Sequence, residues 1–352
     1  DATAARLNAS GATMKALVSE APGRLVLKDV PIPEPGYGEV LVEMSYAPIN
    51  PSDIYQAYGT HSYTEKNEFP HLNGIEGVGR VVKSGGGIPA FAMVKSNLRV
   101  SLATIHRGTW AQFVVADALQ SLPLSSSLSD IQGAAAFVNP LTVLAMLEVA
   151  NDGDPAHKAM VHTAASSALG LMLVRAAKPA NVTIICVVRG EHNVRILRDE
   201  VNHPADLIVR SDQDDFEQKL AAVVKRTGAT LAFDAIGGEM SRKVFSALPE
   251  RAEMYVYGRL SGKGLPEDLA KSAVADKPVS YFLVHEWLDS HPPLVKQWRL
   301  ARIIYKTWNM LPNELATNFE RVLPLDGPDT LAELEAYYKH QKGGKMVLKL
   351  AP

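Results

Sequence analysis

The sequence predicts an α/β fold in which a mainly β part is followed by a doubly wound parallel sheet, and three observations carry that expectation. From Met14 to about Val138 the chain is a series of short β-like runs separated by turn residues. After Asn139, apolar strands alternate with stretches of helical periodicity, the texture of a parallel sheet wrapped by helices. The 352 residues, 47% hydrophobic and 21% charged, suffice for two domains of ordinary size.

In the first part, Val40–Met44 reads as a strand after the turn-rich Pro33–Gly38, Val78–Val82 as another before Gly85–Gly87, and Trp110–Val115 as a third after Gly108. In the second, Ala159–His162 is a strand and Ala168–Lys178 a helix, with Leu169, Met172, Leu173 and Ala176 on one face. Val182–Val188 is a continuous apolar strand closed by Arg189 and Gly190. Strands at Leu207–Val209, Leu231–Asp234, Glu253–Tyr257 and Val279–Val284 and a helix at Phe216–Arg226 follow. A C-terminal piece, 287–352, ends in a strand-like Lys345–Leu350. Residues 1–13 are small and polar without periodicity, and read as a disordered tail, a tag or the stub of a processed targeting peptide.

Bulk composition removes several function classes. A net charge of −2 gives no basic surface for nucleic acid. No apolar run approaches the ~20 residues of a membrane-spanning helix. Cys186 is the single cysteine, so an internal disulfide and any zinc site of several thiolates are out. His285-Glu286 and His291 miss the metalloprotease spacing, in which the two histidines stand four apart on one helical face.

A dinucleotide site needs a strand, a tight loop and a helix N-terminus that faces the pyrophosphate. Val161–Gly170 (VHTAASSALG) stands in that place: Ala165 and Ala168 are small enough for close backbone approach, Ser166 and Ser167 carry hydroxyls, and Leu169 lies in the first helical turn. Only Gly170 of the glycine motif is present, and an ordinary βα turn has the same texture. The next strand ends in Arg189, where an NAD site carries an acid for the ribose 2′-hydroxyl. An arginine there pairs with a 2′-phosphate, or is a solvated strand end.

Met14 to the C-terminus resembles the medium-chain dehydrogenase/reductase superfamily. The strings APINPSDIYQAYG, GIEGVGRV, GTWAQF, NPLTVLAML, FDAIGG, YGRLSG and GGKMVLKL occur in the family's order and spacing. The resemblance implies a GroES-like catalytic domain from residues 14–138 and 287–352, with a Rossmann dinucleotide-binding domain at 139–286. Within it the chain is similar to the zinc-free quinone oxidoreductase and enoyl thioester reductase branch. Asn50, Ile75 and Asn139 stand where the zinc alcohol dehydrogenases carry their catalytic cysteine, histidine and second cysteine, and the four-cysteine structural lobe is missing.

The resemblance implies NADPH as cofactor and, without a metal, a hydride acceptor that carries its own electron sink: a quinone, an enone or an enoyl thioester. Tyr55 resembles the tyrosine after N-P-x-D that donates to the substrate. Enoyl thioester reductases place theirs in a later G-x-Y turn, where His61 stands here. Asn50 and Asn139 are expected to line the catalytic site and Thr142 to touch the nicotinamide end. Tyr257, Phe282, Val284 and Lys345 are expected beside the cofactor, and Asp53 to stabilise a turn. Related enzymes form homodimers through the last Rossmann strand, here Val279–Val284. A catalytically quiet NADPH-binding protein is a further reading. The compartment expected is the cytoplasm, or the mitochondrial matrix if residues 1–13 are a targeting stub.

Overall fold

In the computed structural model the described residues are 7, 11–59, 68–104, 106–152, 157–272, 277–340 and 344–351. The tail expected at 1–13 falls largely outside them, although Thr13 already opens the first strand. The chain divides into two compact units, Asp1–Val138 with Ala316–Pro352, and Asn139–Leu315. The sequence expectation put the divisions at 138/139 and 286/287.

The first unit is mainly β. Strands β1 (Thr13–Ala21) and β2 (Arg24–Pro31) form a hairpin, and β4 (His71–Leu72) adds to β1. A larger sheet has the order β15-β16-β3-β5-β6-β8, from β3 (Glu39–Pro48), β5 (Glu76–Ser84), β6 (Arg99–Ala103), β8 (Leu122–Pro123), β15 (Arg321–Pro324) and β16 (Met346–Lys349), and β7 (Phe113–Asp117) pairs with β3. The strand expected at Trp110–Val115 therefore starts later, because Trp110 sits in a bend with its indole buried and Ala111 bridges to Ala16 of β1. Helices α1 (Pro51–Ala57), α2 (Ile88–Lys95), α3 (Asp130–Ala134) and α12 (Thr330–His340) complete the unit. Met14, Ala16, Leu17, Val40, Leu41, Val42 and Met44 bury their side chains with Trp110 and Phe113, so consecutive residues of β1 and β3 are covered on both faces.

The second unit is a six-stranded, wholly parallel sheet. Its strands are β9 (Ala159–Thr163), β10 (Thr183–Val188), β11 (Ile208–Arg210), β12 (Leu231–Asp234), β13 (Glu253–Val256) and β14 (Val279–Tyr281), in the order β11-β10-β9-β12-β13-β14. Counted from β9 this is the 3-2-1-4-5-6 order of the dinucleotide-binding fold. The run Thr183–Val188 is buried on both faces, which explains its unbroken apolar sequence. The helices are α4 (Val138–Asp152), α5 (Ala168–Ala177), α6 (Glu191–Val201), α7 (Phe216–Thr227), α8 (Glu239–Ala247), α9 (Glu267–Ser272), α10 (Val284–Asp289) and α11 (Pro293–Met310).

The final strand is shorter than expected. It stops at Tyr281, and Val284 opens α10. Phe282 leaves the sheet and packs its buried ring at 5.1 Å from Phe233 and 5.6 Å from Tyr255. Glu148 of α4, 2% exposed, faces Arg302 at 3.2 Å and Lys306 at 3.0 Å, with Arg299 at 3.8 Å. A carboxylate removed from water needs such partners, so α11 packs with α4. Among the described residues no helix is long and apolar enough to cross a membrane.

Candidate active site and cofactor site

In the first unit, the start of α1 assembles a buried polar cluster. Pro51 occupies the first helical position, where its missing N–H costs nothing. Asp53 closes the N-terminus: its Oδ2 accepts the Asn50 N–H at 2.7 Å and its Oδ1 accepts the Ile75 N–H at 2.9 Å. Asp53 is thus the turn-stabilising side chain expected. The approach of residue 75 depends on Gly74, which has φ +93° and where a Cβ would lie 2.5 Å from Trp110 Cδ1.

The Asn50 amide is engaged at both ends. Its Nδ2 donates to Glu76 Oε1 at 2.9 Å, and its Oδ1 accepts from the Lys345 ammonium. Glu76 Oε2 also accepts the N–H groups of Val138 at 2.8 Å and Phe137 at 3.2 Å. Sheet register brings Lys345 here. Strand β16 runs antiparallel to β3, Val347 faces Pro48, and Ile49 N–H donates to Met346 O at 2.9 Å, which sets Lys345 opposite Asn50. Lys345, expected beside the cofactor, turns its ammonium to Asn50.

Burial governs the electrostatics of this cluster. It raises the Asp53 carboxyl to about 7, against the pull of the Asn50 N–H and Lys345. It raises Glu76 and lowers Lys345, each opposed by the charge of the other. Two buried carboxyls and one ammonium share this site: the Lys345 charge favours the ionised form of both carboxyls, and Glu76 disfavours that of Asp53.

Tyr55 lies one turn along α1, half-buried, with a neighbour the sequence did not reveal. The Tyr337 phenol on α12 is pushed up to about 12, by burial first and then by Asp53 and Tyr55. His61 and the nearby Tyr63 lie outside the described residues.

In the second unit, the loop after β9 has the geometry that its small residues suggest. Ala164 has φ +51° and Ala165 is fully buried. A Cβ on Gly170 would sit 2.4 Å from Ala165 O, so only glycine lets α5 pack this close to the loop. Ser167 caps α5, accepting the Gly170 N–H at 3.2 Å. The N–H groups of Ala168 and Leu169, in the first turn, have no intrahelical acceptor and suit an anion.

Arg189 is brought to this loop by Asn193, a residue the sequence analysis missed. Asn193 Oδ1 accepts the Ser166 hydroxyl at 2.9 Å, and its Nδ2 donates to Arg189 O at 2.7 Å. The Arg189 side chain is exposed and makes no ion pair among the described residues. The neighbouring Arg210 is occupied with Asp212 at 2.8 Å and Glu191 at 2.9 Å.

A second unanticipated hub, Asp234, ties β12 to β9. It accepts the Thr163 and Ser241 hydroxyls, each at 2.6 Å, and the N–H groups of Ile236 at 2.9 Å and Gly237 at 3.0 Å. Tyr257 pairs its hydroxyl with His162 Nε2 at 2.8 Å. Burial lowers His162 to about 3 and raises Tyr257, so the pair is neutral. The ring of Phe282, expected beside the cofactor, belongs to the aromatic core, and Val284 is half-buried at the start of α10. Asn139 is buried on α4, with Thr142 three residues on and on the same face.

Comparison with known proteins agrees with both units. The family profile described as "Alcohol dehydrogenase GroES-like domain" matches residues 36–126, and the one described as "Zinc-binding dehydrogenase" matches 168–287. A mitochondrial enoyl-[acyl-carrier-protein] reductase of Caenorhabditis elegans is 29% identical over 246 residues, 68% of this chain and 68% of its own length. A candidate NADPH:quinone reductase of Mesorhizobium loti is 27% identical, with a TM-score of 0.82 covering 97% of this chain and 99% of that one. A mycobacterial structure complexed with NADPH shares the fold at 21% identity, TM-score 0.74, over 96% of this chain and 99% of its own. The chain belongs to the medium-chain dehydrogenase/reductase family. Its similar relatives are enoyl reductases and NADPH:quinone reductases.

The zinc in one profile's name does not fit the residues present. The position corresponding to a ligand cysteine holds an amide already bonded to Glu76 and Lys345, and an ammonium beside it would repel a dication. Among the described residues no group of three metal-binding side chains comes together.

Proposed function

We propose that this protein is an NADPH-dependent, metal-free reductase that transfers hydride to a quinone or an α,β-unsaturated carbonyl compound. One observation carries the reading: the Asn50–Glu76–Lys345 cluster stands where a Lewis acid would be needed for alcohol chemistry. The acceptor must then stabilise its own developing negative charge, which a conjugated carbonyl does by delocalisation.

NADPH, when bound, supplies the hydride. The loop 164–168 and the first turn of α5 hold the pyrophosphate, and Arg189 pairs with the 2′-phosphate. Asn139 and Thr142, on one face of α4, contribute polar groups toward the nicotinamide. Tyr55, protonated at neutral pH, donates to the carbonyl oxygen as charge builds there or orders the water that does so.

A second reading has a specific support. The curated relatives cited are mitochondrial enoyl-[acyl-carrier-protein] reductases at 25–29% identity, so a 2-enoyl thioester is an equally supported acceptor, and the mitochondrial matrix is the compartment that goes with it. NADPH oxidation followed by absorbance with quinones, enones and enoyl thioesters separates the two. Turnover of quinones and enones well above thioesters favours the first, and the reverse order the second. Faster oxidation of ethanol than reduction of any conjugated acceptor would overturn both.

A further inference from the structure

A neutral pair of side chains crosses the sheet of the second unit. His162 of β9 faces Phe233 of β12, and Phe233 faces Tyr255 of β13, so these three form one row across the strands. Tyr257, two residues past Tyr255, keeps to the same face. Its N–H donates to Asp234 O at 2.9 Å, which holds it in register beyond the end of β13. Its ring reaches back over β12 to His162, with centroids 5.7 Å apart, planes 22° from parallel and Oη 2.8 Å from Nε2. The strand order reverses between β9 and β12, and an open α/β sheet binds its ligand in the crevice outside the carboxyl ends of such strands. His162 is fully buried there, and Tyr257 is half-buried.

Two hydrogen-bond directions are open to the pair, and burial favours one. His162 is neutral, so its ring carries a single proton. Its Nδ1 is enclosed and has no partner among the described residues. A proton on Nδ1 would bury an N–H without an acceptor, and such orphans are rare in folded proteins. A proton on Nε2 is donated to Tyr257 Oη and leaves only a lone pair unmatched. The hydrogen bond made by one ring nitrogen thus decides the tautomer. Tyr257 then accepts from His162 and turns its own hydrogen elsewhere. Asp234, whose charge acts on the phenol, is filled: its oxygens take the Thr163 and Ser241 hydroxyls and the N–H groups of Ile236 and Gly237. Burial also keeps the phenol protonated.

A phenol whose oxygen already accepts offers its hydrogen to an acceptor at the crevice. The nicotinamide carboxamide has one such group, its oxygen, beside an NH2 that only donates. We propose, on the footing of the NADPH dependence proposed for this chain, that His162 is a positioning residue: protonated at Nε2, it makes the Tyr257 hydroxyl a donor to the carboxamide oxygen of the nicotinamide.

Two measurements test this. In protein labelled with 15N-histidine, the resonances that vanish in His162→Gln should be those of a neutral ring protonated at Nε2. Fluorescence titration should show NADPH bound roughly threefold to tenfold more weakly by His162→Met and by Tyr257→Phe, the scale of one neutral hydrogen bond. The double variant His162→Met, Tyr257→Phe should lose no more than Tyr257→Phe alone. His162→Gln, whose side-chain N–H replaces that of Nε2, should regain most of the loss. Adenosine 2′,5′-bisphosphate, which lacks the nicotinamide, should bind every variant as it binds the wild type, which also reports that the variants are folded. A proton on Nδ1, wild-type NADPH affinity in His162→Met, or additive losses in the double variant would overturn the proposal. So would equal losses for NADPH and the bisphosphate. A wild type that binds no NADPH would overturn the cofactor reading itself, and this proposal with it.

Discussion

Asn50 donates its amide N–H to Glu76 Oε1 at 2.9 Å, and that bond turns the amide oxygen toward Lys345. A residue aligned with a metal ligand is therefore part of an internal ion network. Chelators should leave the reduction rate unchanged, and elemental analysis of active protein should find no stoichiometric zinc. Loss of activity on chelation, restored by added zinc, would contradict the reading.

Arg189 should set the choice of cofactor. A charge-assisted hydrogen bond is worth about 1.5–3 kcal/mol, so Arg189→Ala should weaken NADPH roughly tenfold to a hundredfold. NADH binding should hardly change. Fluorescence titration with both cofactors measures this, and equal losses would assign Arg189 another task.

Tyr55→Phe should lower kcat for an enone while NADPH affinity stays near wild type. A true oxyanion donor costs about 2.7–4 kcal/mol on removal. A smaller loss is expected, because Tyr337 stands close by and water can replace a donor. Normal turnover by this variant would make Tyr55 a packing residue.

The Asp53 carboxyl links stability to pH. Its folded value of about 7 lies above the ordinary 3.8. Stability from keeping it protonated is fully present below pH ~4 and is lost as pH rises through 7. Lys345 and the N–H groups of Asn50 and Ile75 oppose this rise, whereas the neighbouring Glu76 adds to it, and the Tyr337 phenol faces the same group. The melting temperature of wild type relative to Asp53→Asn should therefore fall between pH 5 and pH 8. A constant difference across that range would show that Asp53 is already ionised at pH 5.

The sequence by itself determined the two-part α/β architecture, the parallel sheet that alternating βα units imply, and the βα loop at 164–168. These rest on local periodicity and on residues a few positions apart, which are visible in one dimension. Through the family resemblance it also marked Asn50, Ile75 and Asn139 at the zinc-ligand positions, where an amide or an aliphatic side chain is a poor substitute for thiolate or imidazole. Only the tertiary structure decided what replaces the metal. Lys345 reaches Asn50 through the antiparallel register of β16 on β3, a pairing across 295 positions that no local pattern encodes. The same holds for Asn193, which joins Ser166 to Arg189, and for Asp234, which ties β12 to Thr163. The packing of α11 on α4 belongs with these, because Glu148 and its cations lie about 150 residues apart and the pull of a buried carboxylate on them is felt only after folding.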